Sequence, residues 1–159
     1  MDLTSFVKPL YNNKDSMHNF NHVLRIKRKV ALLKKGYKVD EGRLYFLVNF
    51  HGLKDFVKQH EKVLLKSYPK SYLISVYRHT SHPVNVEEKL VSDANLLESV
   101  GRFGIKKALR VGKERRQTKQ QTLNYMRKNI KKIRFYTKLG KKQGNPGIKV
   151  IKQYLKKHC

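Results

Sequence analysis

His18 and His22 stand four residues apart in the stretch HNFNHVLRI, a spacing that puts two imidazoles on one face of a helix. Such a pair can hold a metal ion, or one ring can bind while the other orients it. The same spacing arises often by chance, and two surface histidines need no metal. His51 ends an apolar run that begins at Leu44 and is followed at once by glycine in FHGLKDF. Gly52 there reads as a helix stop, the chain leaving through a left-handed residue. Asp93 lies in the apolar stretch EKLVSDANLLESVG, flanked by Leu90, Val91, Leu96 and Leu97. An inward carboxylate at that place needs a metal, a basic partner or several hydrogen-bond donors, because burying an unpaired charge is costly. A capping or salt-bridged aspartate is the plainer alternative.

The elements that must position these residues read as helices. Residues 1–15 look like a short arm ending in the polar YNNKD. From Ser16, a candidate cap, apolar residues recur at three- and four-residue steps through Met17, Phe20, Val23, Leu24, Val30 and Leu33, and Gly36 closes the helix. Asp40 opens a second helix over 41–50. A third is expected over 55–68, stopped by Pro69. A fourth follows over 71–79, where the β-branched and aromatic YLISVY leaves a strand open. Further helices are expected over 86–99, to about Val111, over 117–139 and over 148–157, the last two separated by a break at GKKQGNPG. The fold class is all-α, a compact bundle of six to eight helices.

The chain has 159 residues, enough for one core, with 39% hydrophobic and 30% charged residues. Its formal net charge is +26, which opposes folding by self-repulsion unless salt or a polyanion neutralises it. The charge is lopsided: residues 1–100 hold 17 Lys/Arg against 10 Asp/Glu, a net of +7, and residues 101–159 hold 20 against 1, a net of +19. The single cysteine, Cys159, can make no internal disulfide, and no apolar run approaches the roughly 20 residues of a membrane span. A soluble, cytoplasmic protein is expected.

In their order along the chain, these stretches resemble the HD-domain superfamily of metal-dependent phosphohydrolases. HNFNHVLRI is similar to the opening helix of that family, FLVNFHGLKDF to the helix that delivers its His-Asp doublet, and EEKLVSDANLLESVGRFGIKKAL to the helix of its last aspartate and the glycine turn after it. TLNYMRKNIKKIRFYTKLGKK is similar to the closing helices of small, stand-alone members. The resemblance covers residues 16–157 and implies an HD-like bundle in a single domain over 16–159. It also implies a divalent ion (Mn, Fe, Co, Ni or Mg) with His22, His51 and Asp93 as its ligands. His18, Arg25 and His79 match positions that bind substrate or phosphate, and Asp55 matches an acidic position that some members place shortly after the doublet.

One departure lies at the centre of the resemblance. Gly52 stands where the family has the aspartate of the doublet, and Asn95 and Leu96 stand where small members often carry Asp and Arg. Hard cations depend on carboxylate oxygens, so metal affinity is expected to be weakened or lost. Three readings follow. The chain is a degenerate phosphohydrolase-like protein that keeps nucleotide or nucleic-acid binding, or an active hydrolase using His22, His51, Asp93 and Asp55, or an unrelated helical protein.

The basic half supports the binding reading. In the stretch MRKNIKKIRFYTKLGKKQ, Arg127, Lys128, Lys131, Lys132 and Arg134 are candidate phosphate-backbone contacts, interleaved with the aromatics Tyr125, Phe135 and Tyr136. A solvated basic face is the simpler account of the same residues. RNA fits better than duplex DNA, since no zinc finger or helix-turn-helix signature is present. A membrane surface fits poorly, for want of a strongly apolar face with aromatic anchors.

Overall fold

The computed structural model describes residues 2–158; Cys159 lies outside them. The chain runs through α1 (Leu3–Val7), a 3-10 turn (Lys8–Tyr11), α2 (Phe20–Leu33), α3 (Glu41–Phe50), α4 (Lys54–Gln59), α5 (Glu61–Leu64) and α6 (Lys70–Arg78). It continues through α7 (Val86–Leu97), α8 (Gly101–Glu114), α9 (Lys119–Ile130) and α10 (Lys138–Lys157), with no strand among the described residues. Seven of these helices reach nine residues or more, and YLISVY is helical, burying Leu73, Ser75 and Val76 on one side of α6. Polar side chains start most of the long helices. Asn19, Asp40, Asn85, Thr118 and Thr137 each accept a backbone N–H of the first turn.

Several boundaries differ from the expectation for identifiable reasons. The first long helix starts at Phe20 with Asn19 as its cap; Ser16 instead bonds to Glu114. His18 therefore precedes the helix and does not share its face with His22. Residues 55–68 form two short helices, parted at His60, whose ring stacks on Phe56 at 4.1 Å. α9 ends at Ile130 because Phe135 and Thr137 are drawn into the core, so Lys131, Lys132 and Arg134 lie in the link to α10. No break occurs at GKKQGNPG: α10 runs through Pro146. Pro146 is exposed, on the side of the helix where the hydrogen bond its ring removes is least costly to lose. Gly144 and Gly147 face Phe135 and Val100 so closely that a Cβ would lie 2.1 Å and 2.8 Å from them. These glycines let α10 approach its neighbours.

Two apolar clusters make the core. One gathers residues of α1 to α7, including Ile26, Leu33, Phe46, Phe50 and Leu90. The other joins Val100 to Leu123, Met126, Ile130, Phe135, Ile151 and Leu155 from the basic half, and Leu97 packs against both. The segment 1–15 supplies Leu3, Val7 and Tyr11 to the first cluster, all buried. α7 packs on α2, α3, α6 and α10, which places it at the junction of the two clusters.

Candidate functional site

α2 and the end of α3 bring His22 and His51 together, with their Nε2 atoms 3.1 Å apart. Both rings are buried. His51 is the C-cap of α3, and its Nδ1 lies 2.8 Å from the Val48 carbonyl. A carbonyl only accepts, so Nδ1 carries the proton and Nε2 carries a lone pair. His22 Nδ1 lies 2.8 Å from Glu98 Oε2, which fixes that ring by the same logic. The Nε2–Nε2 contact thus needs one positive charge, supplied by a second proton on His22 or by a cation. Burial pulls His51 down to about 3, so it is the neutral partner. Burial also lowers His22, and the hydrogen bond to Glu98 offsets only part of that.

Glu98 was not singled out from the sequence, yet it organises the centre. It has no solvent exposure and lies against His22, Arg25 at 2.8 Å, Lys29 at 3.8 Å and Lys107 at 3.9 Å. Burial alone would raise its carboxyl; the hydrogen bonds from His22 and Arg25 outweigh that and hold it at about 2. Arg25 is thereby committed to Glu98 and does not line the cavity beside the histidines.

That cavity has a volume of about 330 Å³, and His18, His22, His51, Gly52, Asn95 and Lys107 are among its walls. His18 leans edge-on against His22, at 5.6 Å between ring centroids, and its Nδ1 meets Asp15 at 2.8 Å. Asp93 and Asp55 do not line it. Asp93 points the other way, accepting from the backbone N–H groups of Tyr136 and Thr137 and from the Thr137 hydroxyl at 2.6–2.9 Å. The several-donor account of this carboxylate is the one the geometry realises, and on the cavity side of α7 stands Asn95. Asp55 is exposed in the first turn of α4. His79 is fully buried at the end of α6, edge-on to His51 at 6.2 Å, with Nδ1 bonded to the Val76 carbonyl. It too lies outside the cavity.

Gly52 has a structural reason of its own. The helix does stop here, at Phe50 with His51 as its C-cap, but Gly52 is not among the left-handed residues, so the left-handed exit expected of it does not occur. The Tyr11 ring lies over it: a Cβ would come within 3.0 Å of Tyr11 Cε1 and 3.2 Å of its hydroxyl. That hydroxyl donates to Asn49 O at 2.8 Å and accepts from Gly52 N at 3.3 Å.

The metal that the fold implies can be tested against these donors. Two imidazole nitrogens 3.1 Å apart suit cis ligands at about 2.1 Å from one ion. Nothing completes the set. Gly52 has no side chain, Asn95 is neutral, the one carboxylate of the lining, Asp15, is taken up by His18 and Arg115, and the Lys107 ammonium adds positive charge nearby. Among the described residues no three His, Cys, Asp or Glu side chains converge on one point. The residues present do not fit a hard divalent cation.

Of the basic residues expected to meet nucleic acid, Lys128, Lys131, Lys132 and Arg134 are exposed. Arg127 is half-buried, bonded to Asn124 and to the His158 carbonyl. Tyr125 is 58% exposed, Arg134 lies over Tyr136 at 6.0 Å, and Phe135 is core. No helix among the described residues is long and apolar enough to cross a membrane.

No family model matches this sequence, and no curated protein matches it. Solved structures do. A protein from Lactobacillus plantarum is similar with TM-score 0.75 and 16% identity, over 98% of this chain and 92% of that one. An HD-superfamily hydrolase from Bacillus thuringiensis is similar with TM-score 0.69 and 17% identity, over 98% and 92%. Bacillus subtilis YpgQ in complex with ADP is similar with TM-score 0.66 and 15% identity, over 97% and 94%. At these identities the likeness is one of architecture, and it spans nearly the whole chain. The chain has the all-α fold of the HD-superfamily hydrolases.

Proposed function

We propose that this chain is a cytoplasmic, degenerate relative of the HD phosphohydrolases that binds phosphate-bearing ligands, nucleotide or nucleic acid, without metal-dependent hydrolysis. The observation that carries the reading is the exchange at the cavity. The two positions from which a carboxylate would face the histidines hold Gly52 and Asn95, while Lys14, His18, Lys107 and Arg115 line the same space with a single carboxylate, Asp15, which is paired with His18 and Arg115. A cavity whose cations outnumber its one carboxylate favours an anionic guest over a divalent ion. The ADP held by YpgQ, a structural neighbour, agrees with a nucleotide as that guest. Exposed Lys128, Lys131, Lys132 and Arg134, with the net +19 of residues 101–159, support contact with a nucleic-acid backbone, RNA ahead of duplex DNA. Asp55, exposed and outside the cavity, gives the active-hydrolase reading no support.

The test is a panel of nucleotides and phosphate esters assayed for binding and turnover, in Mn²⁺, Co²⁺ or Ni²⁺ and in chelator. Binding that persists in chelator and weakens steeply with salt, with no turnover, is expected. Metal-dependent turnover by the wild-type chain sinks the reading, as does the absence of any binding at low salt.

A further inference from the structure

A second cavity, about 450 Å³, lies between α8 and α9, with Ile151 of α10 among its walls. It is elongated. α8 lines it at Gly104, Lys107, Ala108, Val111, Gly112 and Arg115, steps of three and four residues that make one helical face. α9 lines it in the same way from Thr122 to Ile130. The face of α8 runs for about 16 Å at 1.5 Å per residue. Over that length the volume leaves a cross-section on the order of 30 Å², a trough rather than a bowl. The trough narrows toward the link between the two helices, where they touch: a Cβ on Gly112 would collide with Thr122 Oγ1. At Lys107 it meets the cavity of the histidines, since His18, Ser99, Lys107 and Arg115 line both.

The walls set the guest. Leu96, Met126, Ile130, Ile133 and Ile151 supply apolar surface, whose burial against an apolar ligand is favourable. The volume falls within the range of about 300–1,000 Å³ that holds small organic ligands. No carboxylate lines the trough, whereas Lys107, Arg115 and Lys132 do. Lys107 and Arg115 stand at the shared boundary and are paired with Glu98 and Asp15. Lys132 is exposed and lines the trough alone. One such cation beside a narrow apolar trough complements a guest with one negative charge and one unbranched apolar chain.

We infer that the trough between α8 and α9 binds a single-chain fatty carboxylate, its alkyl chain along the two helices and its carboxylate at Lys132. The inference is separate from the phosphate reading, because the residues of α9, α10 and their link that carry it line this cavity alone.

Titration calorimetry with straight-chain carboxylates from hexanoate to tetradecanoate, each below its micelle concentration, tests this. One molecule is expected to bind per protein chain. Each two added methylenes are expected to tighten binding about tenfold, the gain from burying them, until the trough is full and the gain stops within the series. Decylammonium has the same chain as decanoate and the opposite head; it is expected to bind about tenfold more weakly, attraction to Lys132 becoming repulsion. Ala108→Leu, which narrows the trough, moves the levelling-off to a shorter chain. Lys132→Glu, at an exposed position, removes the preference for the carboxylate. Thermal melts of both variants check folding, and the wild-type series needs no variant. Several molecules bound per chain, or tightening that never levels off, describes adsorption to the basic surface and overturns the site. Decylammonium binding as tightly as decanoate overturns the carboxylate assignment. No binding by any member of the series overturns the inference outright, and nucleotide binding, measured on its own, is left standing.

Discussion

Tyr11 occupies the space that an aspartate at position 52 would need, with ring atoms 3.0–3.5 Å from where its Cβ would lie. Exchanging the glycine alone therefore crowds Tyr11 and supplies only one carboxylate. The new Cβ asks the buried ring to shift by a few tenths of an ångström, which strains the bond from Tyr11 to Asn49, and Asn95 still brings no charge. Gly52→Asp by itself is expected to lower stability and to bind no Mn²⁺. Gly52→Asp combined with Tyr11→Ala and Asn95→Asp supplies two carboxylates to the pair of imidazoles, and measurable Mn²⁺ affinity by titration calorimetry is the expected gain. Tight Mn²⁺ binding by the unmodified chain would contradict the donor argument outright. The pairing of His22 with His51 comes from the resemblance to the HD family, whereas spacing alone pairs His18 with His22, which do not share a helix face. Tyr11 was not readable: it lies 41 residues from Gly52 in an unremarkable polar segment.

At the scale of elements, Asp93 is the peg between the two halves of the bundle. It accepts three hydrogen bonds from Tyr136 and Thr137, and Thr137 in turn caps α10 by accepting from Gly140 N. This single side chain ties the start of the 20-residue basic helix to α7. Asp93→Ala leaves those donors without an acceptor, two of them on a buried threonine, and is expected to cost about 2 kcal/mol or more. The loss should be local first. Hydrogen exchange is expected to accelerate in α10 and in the link at 131–137 before α2 and α3 respond. Uniform acceleration across the bundle would argue against the peg. The α9–α10 boundary shows why such a feature escapes a reading of local pattern: residues 117–139 keep helical periodicity, and only the pull of Asp93 and the burial of Phe135 interrupt it. In GKKQGNPG the error runs the other way, because glycines that mark close helix packing look locally like a break.

At the scale of the molecule, two buried histidines make the fold sensitive to acid. Burial holds His51 at about 3 and His79 at about 4, against an ordinary value near 6.5. As the pH falls below 6.5 the unfolded chain takes up protons at both sites while the folded chain resists. Stability is therefore fully present above pH 6.5 and falls by up to about 1.4 kcal/mol per pH unit for each histidine. For His79 the loss continues down to about pH 4. Glu98, held at about 2 in the folded chain, adds a loss of its own only as the pH falls toward and below its ordinary value near 4.5, so above pH 5 the histidines dominate the slope. Urea midpoints are expected to drop between pH 7.5 and pH 5, and His79→Gln should make the drop shallower. A midpoint independent of pH over that range would rule out neutral burial of the two rings.

The sequence by itself determined the all-α class, most long helices to within a few residues, the charge asymmetry and the place of His51 at the end of an apolar helix. All of these are local: a period of 3.6, a capping oxygen and a run of lysines are written in neighbouring residues. Only the tertiary structure decided which way the acid-bearing helix faces. It turned Asp93 toward Thr137, set Asn95 beside the histidines, laid Tyr11 over Gly52 and joined two cavities at Lys107. Those choices depend on partners from 41 to 76 residues apart. Helical period specifies a face only as apolar or polar and never names the side chain that will meet it.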